Sequence, residues 1–125
     1  MRRKTKILYL WGDINDKTGL IFIKKLRYYS VTHSILEIHI NSQGGCLDNA
    51  SSIIDTINEL KNKGIIIKIV VYKAYSSAAF IAINGSNGHK YITKNGTMMF
   101  HDISLSLPMD TLKEHIGYTN FITEY

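Results

Sequence analysis

Cysteine and proline are almost missing from this chain: Cys46 and Pro108 are the only ones in 125 residues. A single cysteine excludes an intramolecular disulfide framework and suits a reducing compartment. With one proline, no low-complexity tract and no internal repeat, nothing marks a linker, and the length fits one domain, residues 1–125. Long apolar runs are lacking too. The most apolar stretch, Ile65 to Tyr72, is short and interrupted by Lys68, so no transmembrane segment is expected. The basic start, Met1 to Lys6, is followed only by Ile7 to Trp11 before Gly12-Asp13, too little for a secretory apolar region. These absences favour a cytoplasmic protein. Neither G-x-G-x-x-G nor a P-loop motif occurs, so nucleotide binding gains no support.

What remains is ordinary for a globular protein. Hydrophobic residues make up 45% and charged ones 20%, which excludes intrinsic disorder. A chain of this length can bury roughly 65–70% of its unfolded surface in one core. The formal charge is +5, and four basic residues lie in the first six positions. A solvated basic tail over residues 1–6 is the preferred reading, ahead of a nucleic-acid arm. Lys24, Lys25, Arg27, Lys61, Lys63, Lys90 and Lys94 are dispersed among acids, and the eight tyrosines form no RNA-binding box. Core or interface packing is their expected use.

Periodicity predicts strands alternating with helices. Ile7 to Trp11 reads as a buried strand. Phe22, Leu26 and Tyr29 form a helical stripe within residues 16–29, capped by Asn15 or Asp16. Ile35 to Ile40 is a second strand. Leu47, Ala50, Ile53, Ile54, Ile57 and Leu60 mark a helix closed by Lys61 to Gly64. Ile65 to Tyr72 reads as a central strand covered on both faces, and Ser76 to Ile83 as a short buried helix. A short strand at Tyr91 to Thr93, a turn at Asn95-Gly96, and another strand at Thr97 to His101 follow. Pro108 opens a last helix with Leu112, Ile116 and Thr119 on one face and no stop signal before Tyr125. The pattern implies βαβ units in a mostly parallel α/β sheet.

Three features carry chemistry. Gly44-Gly45, between a strand and a helix, can expose main-chain N–H groups to an anion or oxyanion, though many such turns use glycine for geometry only. Ser76-Ser77 lies at the carboxyl end of the central strand, where open α/β sheets place their sites. On spacing alone, helix capping is the preferred reading of Ser76, ahead of catalysis. His101 ends an apolar strand and has the chemistry of a general base for a serine hydroxyl. His33, His39, His89 and His115 share no metal-ligand spacing with it, so no metal is expected. Cys46 is expected to be a small packed residue.

In order, Ile40-Asn41-Ser42-Gln43-Gly44-Gly45, Ala74-Tyr75-Ser76-Ser77-Ala78-Ala79-Phe80, Gly88-His89-Lys90-Tyr91 and Met98-Met99-Phe100-His101 resemble one family. It is ClpP, the proteolytic subunit of the ATP-dependent Clp protease, whose patterns are I-N-S-P-G-G, A-A-S-M-G-A-F, G-K-R-Y and I-M-I-H-Q-P. The 25 residues from Ser76 to His101 match the family's serine-to-histidine interval. The resemblance implies a ClpP/crotonase-like ββα superhelix and a serine endopeptidase acting on unfolded polypeptides. Ser76 would be the nucleophile and His101 the general base. The N–H groups of Gly45 and Ser77 would form the oxyanion hole, with Gly44 supporting the turn. No cofactor is implied. Expected partners are further copies in heptameric rings and an AAA+ unfoldase, which uses the ATP; no membrane or nucleic acid is expected.

The pattern also breaks. The family's catalytic aspartate lies downstream of its handle helix, which residues 108–125 would begin, so the C-terminal part of the fold is expected to be missing. Asp102, Asp110, Glu114 and Glu124 are poor substitutes. Loss of the acid from a triad typically lowers turnover by about 10⁴. Two alternatives therefore stand beside the peptidase: a catalytically silent ClpP-like ring subunit and, more remotely, a crotonase-like acyl-CoA enzyme. Gln43 replaces the usual proline, and Ser77 and Ala78 replace methionine and glycine. Lys73 is read as solvated.

Overall fold

A computed structural model describes residues 4–100. The element order is β1 (Thr5–Trp11), α1 (Asp16–Ser30), β2 (Ile35–Ser42), α2 (Leu47–Asn62), β3 (Ile66–Tyr75), α3 (Ser77–Ala82) and β4 (Lys90–Met99). All pairs are parallel, in the spatial order β1-β2-β3-β4. Each crossover steps one strand in the same direction. With the usual right-handed connection α1, α2 and α3 then fall on one face of the sheet.

Burial agrees. Leu8 and Leu10 of β1, Leu36, Ile38 and Ile40 of β2, and Ile67, Ile69, Val71 and Ala74 of β3 pack under the helices. Strand β3 therefore alternates between buried and half-buried positions. Among the described residues no crossover returns along the other side, so β3 is covered on one face there and not on both as expected. The open face carries the exposed Tyr9 and Trp11 with the half-buried Glu37, His39 and Lys68. None of the described tyrosines is in the buried core.

Local signals explain the helix ends. Asn15 caps α1 through a capping box: its side chain accepts from Thr18 N–H at 2.9 Å, and Thr18 Oγ1 accepts from Asn15 N–H at 2.9 Å. Helix α2 ends in a Schellman motif. Gly64 (φ +91°) donates to Lys61 O and Ile65 donates to Leu60 O, both near 3 Å. Phe22 and Leu26 of α1 meet Ala50, Ile53 and Ile57 of α2 in the core, and Arg27 reaches Glu59 across the pair at 2.6 Å.

Several sequence readings need correction. Leu47 is half exposed while Thr56 is buried, because the inward stripe of α2 passes through residue 56. Strand β1 begins at Thr5, so Thr5 and Lys6 belong to the sheet and not to the basic tail; Lys6 Nζ lies 4.3 Å from the Tyr29 ring centre. The two short strands at the C-terminal side form one, β4, whose register skips from Ile92 to Thr97. The residues read as a turn, Asn95-Gly96, lie inside that irregularity. Lys90, which the sequence showed only as one of the dispersed lysines, is 2% exposed, because β4 begins on the helix-covered face opposite Ile69. Burial, and then the charge of Lys61, hold its pKa below the ordinary lysine value. The segment 108–125 lies outside the described residues.

Candidate active site

The carboxyl ends of β2 and β3 lie side by side, and the register there decides which residues meet. Ile40 pairs with Val71, but Asn41 pairs with Lys73 and Ser42 with Ala74. Tyr72 is therefore an extra residue, a bulge relative to β2, while towards β4 it stands against the four residues 93–96 of that strand's own irregularity. Two residues beyond the Ser42–Ala74 pair come Gly44 and Ser76. A Cβ built on Gly44 would lie 3.2 Å from Ser76 Cβ and 2.6 Å from Tyr75 O, so only glycine lets the two turns touch. Gly44 also has φ +95°.

Gly45 is bound on its other side to the loop after β1. Ile14 N–H donates to Gly44 O at 3.0 Å, and Cys46 N–H donates to Ile14 O at 2.8 Å. A Cβ on Gly45 would come within 2.2 Å of Ile14 O. This parallel bridge uses the groups flanking Gly45 and leaves Gly45's own N–H and C=O directed away from Ile14. The carbonyl accepts from Ser77 Oγ at 3.4 Å. The N–H has no acceptor among the described residues.

Ser76 stands between β3 and α3 at φ +56°, ψ −123°, the one non-glycine residue with positive φ among those described. Such backbone is strained by about 1–3 kcal/mol and persists where the surroundings hold it. Its N–H donates to Met99 O at 2.7 Å, locking the strained turn to the end of β4. The side chain makes no capping bond to α3, so capping does not account for this serine. Ser77, buried at the first position of α3, has an N–H in the helix turn that lacks intrahelical acceptors.

The structure thus brings Gly44, Gly45, Ser76 and Ser77 together. His101 lies outside the described residues, as do Asp102, Asp110, Glu114 and Glu124. The last described residue, Phe100, packs edge-on against Phe80 with ring centres 5.4 Å apart. Cys46 is exposed at the start of α2, not packed as expected, because the turn carries it past the edge of the core. Lys73 is half-buried with Nζ 5.6 Å from the Tyr75 ring centre.

Sequence reasoning missed a second polar cluster, on the open sheet face. Tyr72 Oη lies 2.8 Å from His39 Nδ1, and Glu37 Oε2 lies 2.6 Å from His39 Nε2. Lys68 Nζ sits 3.4 Å from Glu37 Oε1. Burial raises the Glu37 pKa, but the His39 hydrogen bond and the Lys68 charge together outweigh it, and the net shift is downward. Glu37 and His39 at i and i+2 of a strand signalled a shared face; the bulge that supplies Tyr72 had no such signal.

Among the described residues no helix is long and apolar enough to cross a membrane. The fold is similar to the catalytic domain of the ClpP protease from Plasmodium falciparum, with a TM-score of 0.71 and 26% sequence identity. The match covers 93% of this chain and 61% of that one, so this chain spans less than two thirds of its length. A family model described as Clp protease matches residues 2–111. With that match extending over most of its length, and a parallel α/β sheet of the same fold, the chain belongs to the Clp protease family.

Proposed function

We propose that this chain is a serine-type endopeptidase subunit that cleaves unfolded polypeptides through an acyl-enzyme on Ser76. The observation that carries the reading is the strained Ser76 turn packed against Gly44-Gly45. A strained backbone held by neighbours is characteristic of sites where a side chain must be presented in one direction. The Gly45 and Ser77 N–H groups supply two donors near that side chain, suited to the oxyanion of a tetrahedral intermediate.

His101 is the proposed base, taking the Ser76 proton during attack and returning it to the leaving amine. Met99, whose carbonyl binds Ser76 N–H, precedes His101 by two residues, at most about 7 Å of extended chain. Water then hydrolyses the acyl-enzyme. Assembly into homo-oligomeric rings, a cytoplasmic location and delivery of substrate by an ATP-driven unfoldase complete the reading, by analogy with the family.

A fluorophosphonate probe tests it. The expected result is one covalent adduct on the chain, absent in Ser76→Ala and strongly reduced in His101→Ala. Labelling that survives Ser76→Ala would defeat the assignment, and a folded chain that takes no label would favour a catalytically silent subunit.

A further inference from the structure

We propose that Ser42 is a positioning residue of this site: its buried hydroxyl holds the Gly44 peptide so that the Gly45 N–H stays open to a ligand oxygen. The inference rests on the reading of Ser76 and Gly45 as nucleophile and oxyanion donor. It starts from the hydrogen-bonding groups of the two glycines. Gly44 N–H donates to Ser42 Oγ at 3.0 Å. Gly44 O accepts from Ile14 N–H at 3.0 Å, and Gly45 O accepts from Ser77 Oγ at 3.4 Å. Three of the four main-chain groups are therefore held, and among the described residues only the Gly45 N–H has no acceptor.

Each tether restrains a different rotation. Ile14 fixes the turn from the side of β1, and Ser77 fixes it from the side of α3. Ser42 acts from within β2, at the last residue before the turn, and it is 1% exposed. Among the described residues its hydroxyl is the sole partner of a buried N–H whose peptide lies next to the one that bears the proposed donor. Glycines at φ +95° and +147° have no Cβ to restrict them. Without the Ser42 acceptor, Gly44 N–H must find another partner, and rotation of the Gln43–Gly44 peptide changes the Gly44 dihedrals and through them displaces the Gly44–Gly45 peptide that carries Gly45 N–H. Ser42 touches no reacting atom; it acts through Gly44.

The effect should fall on the chemical step. A misplacement of about 1 Å at a reacting centre lowers rate by up to 10²-fold, so Ser42→Ala is expected to reduce the saturating rate of fluorophosphonate labelling roughly 10- to 100-fold. The half-saturating probe concentration should stay within about twofold, since the probe's other contacts are unchanged. Thr56→Ala is the control: it removes a comparably buried hydroxyl, bonded to Ser52 O at 2.9 Å on α2, away from the turn. That variant should label at the wild-type rate. A folded Ser42→Ala chain with the wild-type rate would overturn the proposal, as would an equal fall in Thr56→Ala. Amide exchange on the unmodified wild-type chain gives a readout independent of any variant's folding. Gly44 N–H should exchange slowly and Gly45 N–H quickly, and Gly45 should become protected after phosphonylation; equal exchange of the two would refute the arrangement. Failure of wild-type Ser76 to label, with Gly44 still protected, would instead remove the hydrolase reading on which this one depends.

Discussion

Ser76→Gly should make the protein more stable, and the size of the gain follows from its backbone. Wild-type Ser76 sits at φ +56°, ψ −123°, at a strain of about 1–3 kcal/mol that glycine does not feel. Glycine's greater freedom in the unfolded chain offsets about 0.5–1 kcal/mol of that relief. No capping bond is lost, because the Ser76 side chain makes none. The net expectation is a stabilisation of about 1 kcal/mol. Ser76→Ala keeps the strain and should lie within about 0.5 kcal/mol of wild type. Urea unfolding followed by far-ultraviolet circular dichroism measures all three proteins, with slopes expected to be equal. A serine that caps α3 gives the opposite order, with both variants below wild type and alanine about 1 kcal/mol down. Finding Ser76→Gly less stable than wild type would refute the strain argument and leave the serine as an ordinary helix-start residue.

Gly45→Ala should destabilise the chain by about 2–4 kcal/mol, since its Cβ meets Ile14 O at 2.2 Å and its φ of +147° is unfavourable for an L-residue; urea unfolding measures this, and a loss under 1 kcal/mol would contradict the close approach of the two loops. Glu37→Gln should flatten the acid limb of stability. The folded-state pKa of Glu37 is lowered, so its contribution is present above the ordinary carboxylate value and is lost as pH falls through the depressed one. Unfolding free energies of wild type and variant between pH 6 and pH 3 should therefore converge towards the acid end, and parallel curves would exclude the Glu37–His39–Lys68 cluster as a source of pH dependence.

Much of this architecture was legible in residue order. Phe22 and Leu26, and Ala50, Ile53, Ile57 and Leu60, repeat at the helical period, and Asn15 and Gly64 bound their helices through side-chain chemistry and positive φ that act over a few residues. Gly44-Gly45 and Ser76-Ser77, at strand-to-helix junctions, were visible as candidates for the same reason. Other features depended on neighbours distant in sequence. Whether β3 has one covered face or two depends on where the crossovers run, and Lys90 is buried because β4 is set beside Ile69. The bulge at Tyr72 is the clearest case. Ile67, Ile69 and Val71 alternate inward, and simple continuation would turn Lys73 to the core; the extra residue turns Ala74 inward instead and carries Ser76 opposite Gly44. The chain by itself determined its helices, most of its strands and the candidate serine and glycines, because those signals are local. Their meeting was decided only by tertiary structure, because the register between parallel strands is set by packing across the whole sheet.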